Sequence, residues 1–297
     1  MSKRMQSEAR KAVKTVARKA RAWRSASAMK PEYLAELERM RLMDDTFMSK
    51  CLENAPECIE LILRVILGKK DLKVVKTQTE YPIKNLLRRG VRFDVFARDS
   101  RDREYDIEIQ RAKDGAEPRR ARYNSALMDA NALKSGEDVG KLRDTYVIFI
   151  TETDVMKRGQ GMYVFDRMDR TSGLDFGDGA HVVYANGTWR GNDDLGRLMH
   201  DFNCSDPSDM NFDVLSKQVY KFKNSEEGRH YMCEAMERIE ARGEARGEAR
   251  GEARGKRETM LATAKRMIES GMLAVKDIAR FSGLSLAQVK KLQAEMA

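Results

Sequence analysis

The sequence predicts an α/β (α+β) protein: a mixed sheet flanked by helices, followed by a C-terminal helical module. Three observations lead there. Two β-forming runs, 91–97 and 104–110, flank a short loop of Arg, Asp and Ser and read as a β-hairpin. Apolar-periodic helical stretches precede and follow them, so the order α-β-β-β-α-β runs over residues 44–151. Near the C-terminus two short helical segments meet at Ser282-Gly283-Leu284, a helix-turn-helix pattern.

Composition sets the outer bounds. A chain of 297 residues holds one large or two ordinary domains. At 41% hydrophobic and 35% charged residues it reads as soluble. No apolar run approaches the ~20 residues of a membrane span, and the basic N-terminus lacks the apolar core of a secretory signal. Cys51, Cys58, Cys204 and Cys233 show no CxxC pairing and read as reduced thiols. The expectation is a cytoplasmic protein with no membrane contact and no small-molecule cofactor.

The charge is uneven. Residues 1–30 carry ten Lys or Arg against one Glu, which is the whole net charge of +9. Within them Ala9, Val13, Val16, Ala20 and Trp23 fall at helical spacing, so 1–42 reads as a basic extension, either a solvated tail or an amphipathic helix. Met29, Met40 and Met43 are alternative starts. In the rest of the chain basic residues crowd around the hairpin, from Lys84, Arg88 and Arg89 to Arg122.

The elements follow in order. Asp44 or Asp45 opens a helix to about Glu53, and Pro56 opens a second that Gly68 stops. A strand over 72–81 ends at Pro82, the hairpin comes next, and a helix spans 117–133 before the apolar strand 145–151. Strands at 162–167 and 180–184 enclose the Gly/Asp-rich stretch 169–179, which lacks EF-hand ligand spacing and reads as a loop. His181 and His200 have no partners at ligand spacing. Helices are expected over 192–203, 213–238, 258–269, 275–281 and 285–296. Between them 240–255 is four copies of EARG, whose glycines oppose a helix by ~0.8–1 kcal/mol each. Alone it should be a flexible spacer; in an oligomer its Gly and Ala stripes allow helices to approach. The expected division is 1–42, a core over 43–203, a helical extension over 204–239, the repeat linker 240–255 and a helical module over 256–297. That module either reads nucleic acid or assembles the chain into a homo-oligomer.

The hairpin carries the chemistry. Side chains alternate along a strand, so Arg92, Asp94 and Phe96 share one face, and Glu104, Asp106, Glu108 and Gln110 share one face of the second strand. A turn centred near Arg101 sets Asp94 opposite Glu108, with Cβ atoms roughly 5 Å apart. Facing carboxylates need a proton, a cation or solvent between them. The other face is apolar and packs on a core, so the acidic face is either solvated or a site.

Asp94, a turn and Glu108-Ile109-Gln110 resemble the D…(D/E)xK signature of PD-(D/E)XK nucleases. The likeness is closer to the PD-(D/E)XK nuclease family transposases, or recombination-promoting nucleases, in which Gln often replaces the signature Lys. DDTFM at 44–48, RARYN at 120–124 and TYVIFI at 145–150 extend it. The resemblance implies a restriction-endonuclease-like core and a Mg²⁺- or Mn²⁺-dependent DNA endonuclease. It implies metal ligation by Asp94 and Glu108 with Asp45 from the first helix, and water orientation by Gln110. Arg92, Arg111, Arg119, Arg122 and Tyr123 become candidate phosphate and DNA contacts, with Arg122 or Arg111 supplying the charge that Gln110 lacks. Two alternatives stay open: a degenerate member that binds DNA without cutting it, and an interaction protein whose acidic face is merely solvated.

Overall fold

A computed structural model describes residues 30–83, 90–111 and 113–296. The basic stretch 1–29 and Lys84, Arg88 and Arg89 lie outside the described residues. The chain divides into two compact units at residues 234 and 235.

The first unit begins with helix α1 (Pro31–Arg39), α2 (Asp45–Leu52) and α3 (Pro56–Leu67). Pro56 sits in the first turn of α3, where its missing N–H costs nothing, and Gly68 closes the helix with a left-handed φ of 65°. Strands β1 (Val74–Ile83), β2 (Val91–Asp99), β3 (Glu104–Gln110), β4 (Thr145–Thr151), β5 (Met162–Phe165) and β6 (Ala180–Asn186) form one sheet in the order β1-β2-β3-β4-β6-β5. Its first three strands are antiparallel, β3, β4 and β6 run parallel, and β5 returns antiparallel to β6. Helix α4 (Pro118–Ala132) links β3 to β4, as a parallel crossover requires. Helices α5 (Asp194–Asn203) and α6 (Asp213–Asn224) complete the unit.

Pro82 does not end the first strand; it lies inside β1, paired with Arg92. The sheet order makes β1 an edge, where a residue without an N–H leaves no ladder bond broken.

Asp99 sets the hairpin. Its carboxylate, 2% exposed, accepts from the backbone N–H of Arg101 and of Arg103, both at 3.0 Å, and from Tyr105 Oη at 2.8 Å. Arg103 Nε adds a fourth bond at 2.7 Å. Burial opposes the charge, but the bonds from Arg103 and Tyr105 outweigh it and hold the carboxyl below its ordinary range. With the turn clamped, Arg98 pairs with Glu104, Phe96 with Asp106 and Val95 with Ile107.

Both faces of the sheet are covered. Ala121, Leu127 and Met128 of α4 pack with Phe96, Val147, Phe149 and Tyr184. On the other face Tyr105 stacks on Tyr146 at 5.1 Å and Tyr146 on His181 at 4.4 Å. Lys69, just beyond α3, donates to Tyr146 Oη at 2.8 Å. Helix α2 packs on α3, α6 and β2 through a side that buries Phe47, Met48 and Cys51. All four cysteines are free.

The expected helix over 213–238 breaks at Ser225, which separates α6 from α7 (Glu226–Ser270). Residues 240–255 lie inside α7, where a spacer was expected. Their stretch is exposed throughout, so no packing holds it. Its four-residue period puts like charges at i and i+4, and opposite charges meet at that spacing only near its end, as Arg254 with Glu258 and Lys256 with Glu252. Continuity with anchored helix on either side is what carries the repeats. In the second unit Met260, Leu261 and Ala264 pack with Ile278 of α8 (Val275–Ser282) and with Val289 and Leu292 of α9 (Leu286–Met296). Gly283, at φ 77°, makes the turn between α8 and α9.

Nothing lies within 4 Å of a Cβ added at Gly243, Gly247, Gly251 or Gly255. Each Gly→Ala change there should therefore act through helix propensity alone, by ~1 kcal/mol. Hydrogen exchange across 240–255 should slow with each replacement; unchanged exchange would mean that the repeats are not helical in solution.

Candidate active site

The paired register of β2 and β3 stops at Val95 and Ile107, and Asp94 and Glu108 are next in line. There the Asp94 side chain replaces the ladder: its Oδ2 accepts from the N–H of Ile109 at 2.9 Å. Rows across the sheet place Asp106 beside Val147 and Glu108 beside Phe149, on the face that α4 covers.

The acidic face is therefore not solvated. Asp94 is 9% exposed, and Asp106 and Glu108 are wholly buried. Helix α4 supplies partners for Glu108 and Asp106. Arg120 Nη2 donates to Glu108 Oε2 while its Nη1 donates to the carbonyl of Gly115 at 2.9 Å, and Asn124 Nδ2 donates to Asp106 Oδ2 at 2.8 Å. Asp106 Oδ1 and Glu108 Oε1 receive no hydrogen bond from their surroundings.

The electrostatics follow from burial and crowding. Burial, with Glu108 and then Asp45 nearby, pushes Asp94 up to about 7, against the Ile109 N–H and Arg120. Burial, followed by repulsion from Glu108, raises Asp106 well above its ordinary value. Glu108 is raised by burial despite the opposing charge of Arg120. One proton between Asp106 and Glu108 would satisfy both orphaned oxygens.

These groups meet a cleft of about 1140 Å³. Asp45, Arg92, Asp94, Gln110, Arg111, Arg119 and Tyr123 all line it, so α2, β2, β3, the loop after β3 and α4 bring these expected site residues together. Glu108 lies beneath the lining, reached through Arg120. Arg122 is exposed but not part of the lining. The reason is helical geometry: Arg119, Arg120, Tyr123 and Asn124 form one stripe of α4, and Arg122 projects roughly a third of a turn away from its centre. Arg92 pairs with Glu80 at 3.1 Å across the β1–β2 edge. Arg111 donates to Asp44 at 2.7 Å and lies 3.4 Å from Glu152, which also holds Arg41 at 2.7 Å. This network ties the start of α2 to the end of the sheet, engages Asp44 and leaves Asp45 as the acid of that pair lining the cleft.

Gln110 Nε2 reaches Glu108 Oε2 only at 3.4 Å. Its amide lies over Gly115, where an added Cβ would fall 1.8 Å from Oε1, so glycine there gives Gln110 its room. Arg120, Asp106 and Asn124 are the site residues that sequence reasoning did not single out. The signals were present: Asp106 shares the period-2 face of Glu108, and Arg120 and Asn124 are four apart within RARYN, one above the other on a helix.

The donor set suits a hard cation, since every candidate ligand is a carboxylate oxygen and two buried oxygens lack a partner. Among the described residues, however, no group of three or more His, Cys, Asp or Glu side chains is gathered as a ready metal site. Arg120 holds Glu108 Oε2.

A mixed sheet flanked by helices, with acids at the ends of adjacent strands beneath a basic helix, defines a PD-(D/E)XK nuclease-type fold. Residues 52–186 match the family model of PD-(D/E)XK nuclease family transposases, a span that takes in α3, the whole sheet and α4 and begins after Asp45. No curated protein and no solved structure matches the chain.

The raised carboxyl of Asp94 has a measurable consequence. Its folded value of about 7 exceeds the unfolded value near 3.8, so the folded state binds the extra proton and stability falls as pH rises between the two. Without added metal, the melting temperature should drop from pH 5 to pH 8, and Asp94→Asn should flatten that drop. An identical pH dependence in the two proteins would mean that Asp94 titrates normally.

Proposed function

We propose that the chain is a Mg²⁺-dependent DNA endonuclease of the mobile-element, recombination-promoting type, acting in the cytoplasm. The observation that carries this reading is that Asp94 lines a cleft with Arg92, Arg111, Arg119 and Arg120, while Glu108, next in line on the adjacent strand, lies buried behind Arg120. Acids alone would repel a nucleic acid. Acids beneath Arg92, Arg119 and Arg120 can hold a cation while the arginines bind phosphate.

In this reading Asp94 and Glu108 hold Mg²⁺ or Mn²⁺, with Asp45 nearby at the mouth of α2. Bound there, a divalent cation supplies an acidified water and neutralises charge on the scissile phosphate. Gln110 orients that water through its amide but brings no positive charge. Arg92 and Arg119 grip the backbone on either side, and Tyr123 offers a ring to a base, a contact that tolerates any sequence. The arginines and the Tyr123 ring offer contacts to phosphate and to any base face, which supports a nuclease of low sequence specificity. The domains follow suit: a nuclease-like core over 43–203, a helical extension over 204–239, the repeats at 240–255 and a helix-turn-helix-like module over 256–297. The basic segment 1–42 adds charge for nucleic acid, and the module assembles copies of the chain or adds DNA contacts.

One observation favours a second reading, a degenerate member that binds DNA without cleaving it. Glu108 is already neutralised by Arg120, which such a protein would retain.

Nicking of supercoiled plasmid with and without Mg²⁺ separates the two. The nuclease reading expects Mg²⁺-dependent nicking that Asp94→Ala or Glu108→Ala each reduces by ~10²-fold or more, with DNA binding retained. Nicking by either variant at the wild-type rate would exclude that residue from the site. Metal-independent binding with no nicking at all would favour the degenerate member.

A further inference from the structure

The signature position for a cation beside the second acid is filled here by Gln110, which is uncharged and only 3.4 Å from Glu108. A cation is nevertheless in direct contact with that acid. It is Arg120, in the first turn of α4, two residues after Pro118 opens the helix. Arg120 holds Glu108 and the Gly115 carbonyl at once, and its guanidinium lies 5.9 Å from the Phe149 ring. Its side chain is nevertheless 37% exposed, against 0% for Glu108, and it lines the cleft. The other two arginines paired there, Arg92 and Arg111, pair with Glu80 and with Asp44 and Glu152, so neither touches Glu108 in this arrangement.

We propose that Arg120 is the site's resident cation, exchanged between two partners: it neutralises Glu108 in the metal-free protein and turns to the phosphate of bound DNA when a divalent cation takes over Glu108. The proposal rests on the nuclease reading above and deepens it. A wholly buried carboxylate without a counter-charge is costly, and Arg120 supplies that counter-charge to Glu108. Its long side chain is anchored on α4 and can swing toward the cleft, where its planar donors suit a phosphate. The exchange also returns to the reacting phosphate the charge that Gln110 lacks.

The test titrates Mn²⁺ into the full-length chain without DNA and follows free Mn²⁺ by electron paramagnetic resonance. Arg120→Gln removes the competitor for Glu108, so it should bind Mn²⁺ about 10-fold tighter than wild type, while a 20-base-pair duplex with Ca²⁺ present binds it more weakly. Glu108→Gln should abolish Mn²⁺ binding in either background. A purely structural arginine predicts the opposite, Mn²⁺ binding unchanged or weakened in Arg120→Gln, and that result overturns the exchange. If wild type and Arg120→Gln both fail to bind Mn²⁺, the metal site falls and the exchange with it. Equal Mn²⁺ affinity in the two, lost in Glu108→Gln, keeps the metal site and overturns the exchange alone. Should Arg120→Gln not fold, Arg120→Lys decides: it keeps the charge but loses the two-pronged hold, so its Mn²⁺ affinity should exceed that of wild type. Affinity at or below wild type in Arg120→Lys overturns the exchange.

Discussion

A carboxylate with no exposure to water cannot stand alone, and Glu108 is such a carboxylate. Much of the first unit serves that constraint. The hairpin register, clamped by Asp99, delivers Glu108 to the line of Asp94 and places Asp106 one pleat away on the same face. The face is then too acidic to be buried by an ordinary apolar helix. Helix α4 covers it by presenting two kinds of residue at once: Ala121, Leu127 and Met128 to the aromatic floor, and Arg120 and Asn124 to the acids. The turn before α4 joins in, because the Gly115 carbonyl takes the second arm of Arg120 while its missing side chain leaves space for Gln110. The three acids are bonded locally, Glu108 and Asp106 by α4 and Asp94 by the Ile109 N–H. That leaves the acids poised: two oxygens without a donor and one carboxyl lifted to about 7.

Much of this was legible in the sequence, because it is written in local periodicity. Alternation over 104–110 put Asp106, Glu108 and Gln110 on one face, and the short loop centred the turn so that Asp94 faces Glu108 in register. Helix boundaries were readable from Pro56, Gly68 and Pro118, residues whose backbone chemistry admits few other positions. What could not be read was which helix lies on the acidic face. Periodicity alone leaves solvent and site equally open, because whether a polar face is covered depends on the docking of α4, a tertiary fact. Arg120 was overlooked in favour of Arg122 for the same reason. In sequence the two are equivalent neighbours, and only the orientation of α4 tells them apart. The EARG repeats failed in the other direction. Propensity opposes a helix at each glycine, yet helix anchored on both sides carries the segment through. Pro82 shows the limit of a breaker signal, since on an edge strand it breaks nothing.

The family match over residues 52–186 and the geometry bear on different questions. The match concerns the fold and its nuclease-type class. The geometry concerns chemistry, and it describes a site whose acids are balanced from within by an arginine. Such balance lets a cluster of buried carboxylates fold before any ligand arrives, and it makes ligand binding a replacement of charge by charge. It also places a positive group, Arg120, on the helix that covers the strand, where Gln110 brings none.

The most direct measurement is the melting temperature of the full-length protein at pH 8 with and without millimolar Mg²⁺, for wild type and Asp94→Asn. A cation that binds the folded state alone raises the melting temperature. The carboxylates of Asp94 and Glu108, held together by the fold, should give a rise in wild type that Asp94→Asn loses. A wild-type melting temperature indifferent to Mg²⁺, or an equal rise in both proteins, would contradict a metal site at Asp94 and Glu108.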